Sequence, residues 1–312
     1  MIRVAIDAMG GDLGPRIAFE SALEVLKKYD DVDISIYHHE SYSPVNSSNL
    51  PISTVSCSDY ILQDDIVDRA LFRRKETTLY KALKSLSSKE HDVVVTVGNT
   101  GVMVALSRFI LGLVRPRLYP ALIRELGSAP LRCLVDLGAN VHCQATMLEG
   151  FACLGAAYIE ACGNQIAHVG LLNVGVESSK GSSVIREVDR ALSRRSWPVY
   201  AGYAEGDEIF KGEKNVIVCD GMVGNAVLKA SEGLLSFINT ELNASHDKDI
   251  IHSLFKGGRN HGACLVGVGG NVVKGHGGSD AIALTGAVEY GIEMAKNNLH
   301  EKISAKINKE VV

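Results

Sequence analysis

The chain has 312 residues, 46% of them hydrophobic and 22% charged, which is ample for a packed core and argues against disorder. Its net charge of −4 leaves no overall basic footprint, so no nucleic-acid partner is expected. No stretch approaches 18 uninterrupted apolar residues and no basic segment precedes a long apolar run, so neither a membrane-spanning helix nor a signal peptide is expected.

In chain order, the apolar run 4–6 reads as a strand that stops at Asp7. A loop holding Gly10, Gly11 and Asp12 follows, and after Pro15 a helical pattern runs over 17–28. Glycines at the end of a first strand let the backbone approach a phosphate, and the helix start beyond them offers unpaired amides and a positive dipole. Asp7 and Asp12 would repel an anion, so at least one is expected to cap a turn or orient a cation. A strand at 32–37 comes next, then helices at 66–74 and 78–86. Further strands are expected at 93–97, 133–135, 169–174 and 216–218, with helices at 147–162, 184–192, 224–232 and 281–296.

Short, continuously apolar strands that alternate with helices imply a mostly parallel sheet covered on both faces. The expectation is a three-layer α/β sandwich formed by one domain over 1–312. Leu234, Leu235, Ile238 and Leu242, then Ile250, Ile251, Leu254 and Phe255, follow helical spacing on either side of polar 243–249. They predict a small protruding helical pair over 233–257. Composition makes 41–51 and 239–249 the least ordered stretches, and 301–312 a Lys-rich helical tail.

Nearly every strand ends in a small-residue loop: 7–11, Gly98-Asn99-Thr100-Gly101, Asp136-Leu137-Gly138-Ala139-Asn140, Asn173-Val174-Gly175 and Asp220-Gly221. Any one of these is an ordinary turn that needs positive φ. Together they are expected to form a rim lining one cleft. The seven cysteines are scattered without a CxxC pair and read as reduced thiols of a cytoplasmic protein. The run 267–272 opens like a dinucleotide fingerprint, but Val272 stands where the third glycine belongs. His38-His39 and His142-Cys143 lack partners at ligand spacing. No cofactor and no metal are therefore expected.

Asp7-Ala8-Met9-Gly10-Gly11-Asp12 resembles the N-terminal signature of the bacterial PlsX family of phosphate acyltransferases. Thr96-Val97-Gly98-Asn99-Thr100-Gly101 is similar to the family's Gly-Asn-Thr-Gly motif, and Asp136-Leu137-Gly138-Ala139-Asn140 to its Gly-Ala-Asn segment. Gly170 to Gly175 with Glu177, Lys180 and Gly181, and Cys219 to Asn225 with Lys229 and Glu232, match further segments. Lys274-Gly275-His276-Gly277 closes the set. Thr77-Thr78 stands where the family usually has a serine pair, and Met222 where phenylalanine is common. Val176 replaces an acidic residue, and His261 a glycine or asparagine.

The resemblance implies transfer of a fatty acyl chain from acyl carrier protein to inorganic phosphate, which supplies acyl phosphate for phospholipid synthesis. It also implies an isocitrate/isopropylmalate dehydrogenase-like fold and a homodimer. The region 233–257 would serve the dimer contact, a peripheral membrane contact, or both.

In that reaction a phosphate oxygen attacks a thioester carbonyl, so two anions meet and cations and N–H donors should dominate the site. Phosphate is itself a competent nucleophile. No covalent enzyme intermediate is needed, and no Gly-x-Ser-x-Gly elbow occurs. The cationic candidates are Lys180, Lys229, Lys274 and His276. Lys180 and Lys229 are expected to hold phosphate or the oxyanion, with Asn225, one helical turn before Lys229, as a neutral donor. His276 is the candidate general acid toward the leaving thiolate, with a purely structural histidine as the alternative. Gly10, Gly11, Asn99, Thr100, Gly101, Asn140, Asn173 and Asn225 complete the expected phosphate- and substrate-binding set. Asp7, Asp12, Asp136 and Asp220 are expected to cap loops and orient lysines.

An acidic carrier protein needs a basic docking surface. Three clusters qualify: Arg108, Arg115, Arg117, Arg124 and Arg132; Arg69, Arg73, Arg74 and Lys75; and Arg186, Arg190, Arg194 and Arg195. The alternatives to an acyltransferase are a metal-dependent dehydrogenase of similar fold and a non-catalytic module that binds acyl carrier protein.

Overall fold

The buried apolar runs become strands and the periodic stretches become helices. In chain order the elements are β1 (Ile2–Asp7), α1 (Arg16–Leu26), β2 (Val32–His39), β3 (Ile52–Cys57), α2 (Thr78–Ser87), β4 (Val93–Thr96), α3 (Thr100–Leu111), β5 (Ala121–Leu126) and β6 (Arg132–Val135). They continue with α4 (Ala145–Gly163), β7 (His168–Leu172), α5 (Ser183–Leu192), β8 (Val199–Ala204), β9 (Val216–Val218), α6 (Gly221–Glu241), β10 (Gly262–Val266), β11 (Asn271–Gly275), α7 (Ala281–Lys296) and α8 (Leu299–Glu310). The computed structural model describes residues 1–42, 52–127, 130–163, 165–241 and 262–310. The stretch 43–51, the polar tip 243–249, the second half of the pair expected at 233–257, and His261 lie outside the described residues.

The chain gathers into two compact units. The first is Met1–Val114 with Asn260–Glu301, and the second is Arg115–Arg259 with Lys302–Val312.

In the first unit the strand order is β3-β2-β1-β4-β11-β10. All neighbours run parallel except the β10–β11 pair. Val4, Ala5 and Ile6 of β1 and Val93, Val94 and Val95 of β4 are fully buried, as strands covered on both faces must be. Both α2 and α7 pack on β1 and β4, while α1 packs on α7 and α3 on α2. The helices therefore flank the strands as two pairs.

In the second unit the order is β5-β6-β9-β7-β8, with only β5–β6 antiparallel. The long α4 packs against β6, β9 and β7 and buries most of its length. Gly155 allows this approach, since a Cβ there would meet Val216 Cγ1 at 2.5 Å. Among the described residues no helix is long and apolar enough to cross a membrane.

Several elements depart from the sequence expectation. The stretch 66–74 is not an α-helix, and only Leu71–Arg73 forms a 3-10 turn. Asp65 and Asp68 take the amides of Leu62 and Leu71 at 2.9 Å each, and such local side-chain acceptors compete with a helix. Helix α3 begins inside a stretch read as loop, because Asn99 caps it by accepting from the Val102 amide at 3.1 Å. Helix α6 extends the expected 224–232 in both directions. Residues 233–241 therefore continue α6 rather than beginning a separate helix.

Candidate active site

The first unit gathers its chemistry where β1, β4 and β11 end. Gly10 takes a positive φ of 86°, and a Cβ there would stand 2.9 Å from Gly98 Cα. Only glycine lets the two loops touch. Asp7 is buried beneath them. Its Oδ2 accepts from the Thr96 hydroxyl at 2.8 Å, Thr96 Oγ1 accepts from the Gly98 amide at 3.1 Å, and Asp7 Oδ1 accepts from the Met9 amide at 3.3 Å. Lys274, at the end of β11, donates from its ammonium to the carbonyl of Val97 at 3.2 Å and to that of Gly275. This holds a half-buried cation at the loop that joins β4 to α3. The Asp12 amide donates to the Gly277 carbonyl at 3.0 Å and ties the glycine-rich loop to the segment carrying His276.

Burial lifts the Asp7 carboxyl to about 6, against the opposing pull of the Thr78 and Thr96 hydroxyls, the Met9 amide and the Lys274 charge. A carboxyl raised in the folded chain stabilises the fold fully below its unfolded pKa of about 3.9. That contribution is lost as pH climbs through about 6. Asp7→Asn is therefore expected to remove about 2 kcal/mol of the stability difference between pH 4 and pH 7, measured by urea unfolding at both values. An unchanged difference would mean that Asp7 ionises at its ordinary value.

The second unit builds its rim around Asp136 at the end of β6. Its Oδ1 accepts from the amides of Leu122 (2.9 Å), Leu137 (2.7 Å) and Ala139 (3.1 Å). Its Oδ2 accepts from the Asn140 amide (2.7 Å) and side chain (3.0 Å). Burial raises this carboxyl, and the ring of donors opposes the rise. Helix α6 presses onto the loop: a Cβ at Gly221 would meet the Asn140 carbonyl oxygen at 2.6 Å. Asp220 caps α6 by accepting from the Val223 amide at 2.8 Å. The loop after β7 is closed by Asn173, which donates to the Gly175 carbonyl at 3.0 Å, and by Arg186, which donates to the Gly181 carbonyl at 2.6 Å.

A family model described as "Fatty acid synthesis protein" matches residues 2–302. "Phosphate acyltransferase" of Delftia acidovorans is 35% identical over 331 aligned residues, covering 99% of this chain and 95% of the relative. The chain belongs to this family of phosphate acyltransferases. Among solved structures, a branched-chain phosphotransacylase from Enterococcus faecalis V583 matches with a TM-score of 0.64 at 13% identity, over 95% of this chain and 99% of that one. Isocitrate dehydrogenase from Methylococcus capsulatus matches with a TM-score of 0.50 at 12% identity, over 99% and 89%. Both likenesses concern the fold, the mostly parallel α/β arrangement expected from the sequence.

In this member of the phosphate acyltransferase family, Gly10, Gly11, Asn99, Thr100, Gly101, Lys274 and His276 belong to the first unit, and Asn140, Asn173, Lys180, Asn225 and Lys229 to the second. Gly138 and Asn225 approach closely, a Cβ on Gly138 standing 3.8 Å from Asn225 Cβ. Lys180 is exposed in the loop before α5, and Asn225 and Lys229 are exposed one turn apart on α6. The side chains of Asn99, Asn140 and Asn173 all hold loop backbone, so they shape the rims through the main chain. Asn140 donates to the Pro120 carbonyl at 2.8 Å as well as to Asp136. Sequence reasoning missed Gln63 and Asp65, which hold Asn99 and Gly10 from a distant loop. Their only local signal is the acid-rich run 64–68.

Proposed function

We propose that this chain moves a fatty acyl group from acyl-acyl carrier protein to inorganic phosphate, giving free carrier protein and an acyl phosphate for phospholipid synthesis. Kinship along nearly the full length with relatives named phosphate acyltransferase carries this reading. A phosphate oxygen attacks the thioester carbonyl, the C–O bond forms, the C–S bond breaks, and the electron pair leaves on the carrier sulfur. No acyl-enzyme intervenes. Consistent with that, burial pushes the thiols of Cys57, Cys143 and Cys153 up to about 11, so none is an activated thiolate. The test is release of carrier thiol from long-chain acyl-acyl carrier protein with and without inorganic phosphate. Release that does not need phosphate would mean a thioesterase.

Lys180 and Lys229 are assigned to phosphate or the oxyanion, with Asn225 as a neutral donor, and Lys274 is the cationic candidate of the first unit. His276 is the candidate general acid toward the leaving thiolate, and the Gly278 amide, which donates to its Nδ1 at 3.1 Å, orients the ring. His276→Gln is expected to lower kcat about tenfold and to change the pH–rate profile. An unchanged profile would remove the acid role and leave His276 a structural residue.

The carrier protein would dock by charge on one of the three arginine clusters, of which Arg69 and Arg73 in one and Arg190 and Arg194 in another are exposed, with an affinity that falls as salt rises. A cytoplasmic homodimer completes the proposal, with 233–257 serving the dimer contact, a peripheral membrane contact, or both. The exposed Leu234 and Phe237 in the last part of α6 support an apolar contact there.

A further inference from the structure

Arg74 belongs to one of the basic clusters suited to carrier docking, yet its guanidinium turns inward. Nε and Nη2 donate to the two carboxylate oxygens of Asp59 at 2.9 and 2.8 Å, and Nη1 donates to Asp65 Oδ2 at 2.7 Å. Nη2 also donates to the Tyr60 carbonyl at 2.7 Å. A planar fork with five donors can satisfy this set, and an ammonium cannot. The charges reinforce each other: the Asp59 carboxylate beside it holds Arg74 above its ordinary value, and Arg74 holds Asp59 below its own.

The segment that Arg74 pins, residues 59–74, crosses two parts of the first unit's rim. The Gln63 side chain donates to the Gly10 carbonyl. The Gln63 and Asp65 carbonyls both accept from Asn99 Nδ2, at 2.8 and 3.0 Å. Asn99 Oδ1 in turn caps α3 through the Val102 amide at 3.1 Å. The Ile61 carbonyl oxygen lies close enough to Gly10 that a Cβ there would meet it at 3.3 Å. The only regular structure in the segment is the 3-10 turn Leu71–Arg73, so side-chain bonds define its path. Arg74 makes four of those bonds.

We propose that Arg74 is a positioning residue for the phosphate-facing rim of the first unit. By clamping Asp59 and Asp65 it fixes the segment that holds the Gly10 carbonyl and the Asn99 cap. It thereby sets how the glycine-rich loop and the first-turn amides of α3 are presented to an anion. The role rests on the reading that inorganic phosphate is the acyl acceptor. The clamp is part-buried and confined to one loop, so the expected signature lies in loop order and phosphate use rather than in global unfolding.

The test combines amide hydrogen exchange over 8–14 and 98–103 with steady-state kinetics at varied phosphate, on the whole chain and its Arg74→Ala and Arg74→Lys variants. Arg74→Ala is expected to raise exchange about tenfold in both segments while the amides of β1 and β4 stay protected. The KM for phosphate should rise about tenfold or more, with a smaller change in kcat. Arg74→Lys, which keeps the charge and loses the fork, should recover only part of either effect. Should Arg74→Ala fail to fold, Asp65→Asn, which removes one arm of the clamp, should show the same pattern at about threefold. Unchanged exchange in both segments with an unchanged KM for phosphate would overturn the proposal and leave Arg74 an ordinary ion pair. If the unaltered chain releases no thiol in response to phosphate, the acyltransferase reading fails, and the exchange experiment still decides whether Arg74 orders the two loops.

Discussion

Gly224→Ala is expected to destabilise the fold by about 3 kcal/mol or more, as overpacking against fixed backbone does. A Cβ at this position would stand 3.0 Å from Cys219 Sγ and far inside contact distance of the Asp136 carbonyl oxygen. Asp136 cannot yield, because its carboxylate is held by the amides of Leu122, Leu137, Ala139 and Asn140 and by the Asn140 side chain. Its backbone amide also donates to the Cys219 carbonyl at 3.2 Å. Relief must come from lifting α6 away from the loop. Gly233, further along α6, is the internal control, since nothing lies within 4 Å of a Cβ there. Gly233→Ala should stabilise by about 0.5–1 kcal/mol through helix propensity. Equal effects at the two glycines in urea unfolding would contradict the close packing of α6 on the Asp136 loop.

Lys274→Met is expected to reduce kcat/KM for phosphate about a hundredfold, the scale of losing one fixed electrostatic donor. The methionine keeps much of the apolar stem, so the effect reports the charge. Lys274 lowers the Asp7 carboxyl from the position that burial alone would give it. In the variant, Asp7 should titrate above its present value of about 6, and the loss of stability with rising pH should move upward with it. A drop in turnover with no movement of the Asp7 titration would separate Lys274 from Asp7. An unchanged kcat/KM would remove Lys274 from the reaction.

Much of the fold was legible because buried parallel strands announce themselves as apolar runs. The runs in β1, β4, β6 and β9 are of this kind. Strand β5 was hidden by Arg124 and Glu125, charges that are satisfied by residues far along the chain. Arg124 pairs with Glu232 at 3.0 Å, and Glu125 accepts from the Tyr158 hydroxyl at 2.6 Å. Strand β3 pairs only with β2, leaves Ser53, Thr54 and Ser56 exposed, and carries no apolar run to find. Helix α3 is apolar over nearly its whole circumference, so it has no amphipathic period.

The site divides in the same way. The motif at Gly98–Gly101 marked a place where the backbone matters, but nothing local reveals that the Asn99 side chain is held by the carbonyls of Gln63 and Asp65. Arg74 reads as part of a solvated basic run because its acceptors, Asp59 and Asp65, stand earlier in the chain on a loop without periodicity. Loops of this kind take their form from individual side-chain bonds, which no propensity encodes.

The central claim, acyl transfer to phosphate, is tested most directly by trapping the product. Long-chain acyl-acyl carrier protein would be incubated with the chain and inorganic phosphate, and quenched into hydroxylamine, with free thiol and acyl hydroxamate counted in the same sample. The account predicts equal amounts of the two, both abolished when phosphate is left out. Thiol release without hydroxamate, or hydroxamate formed equally without phosphate, would contradict it.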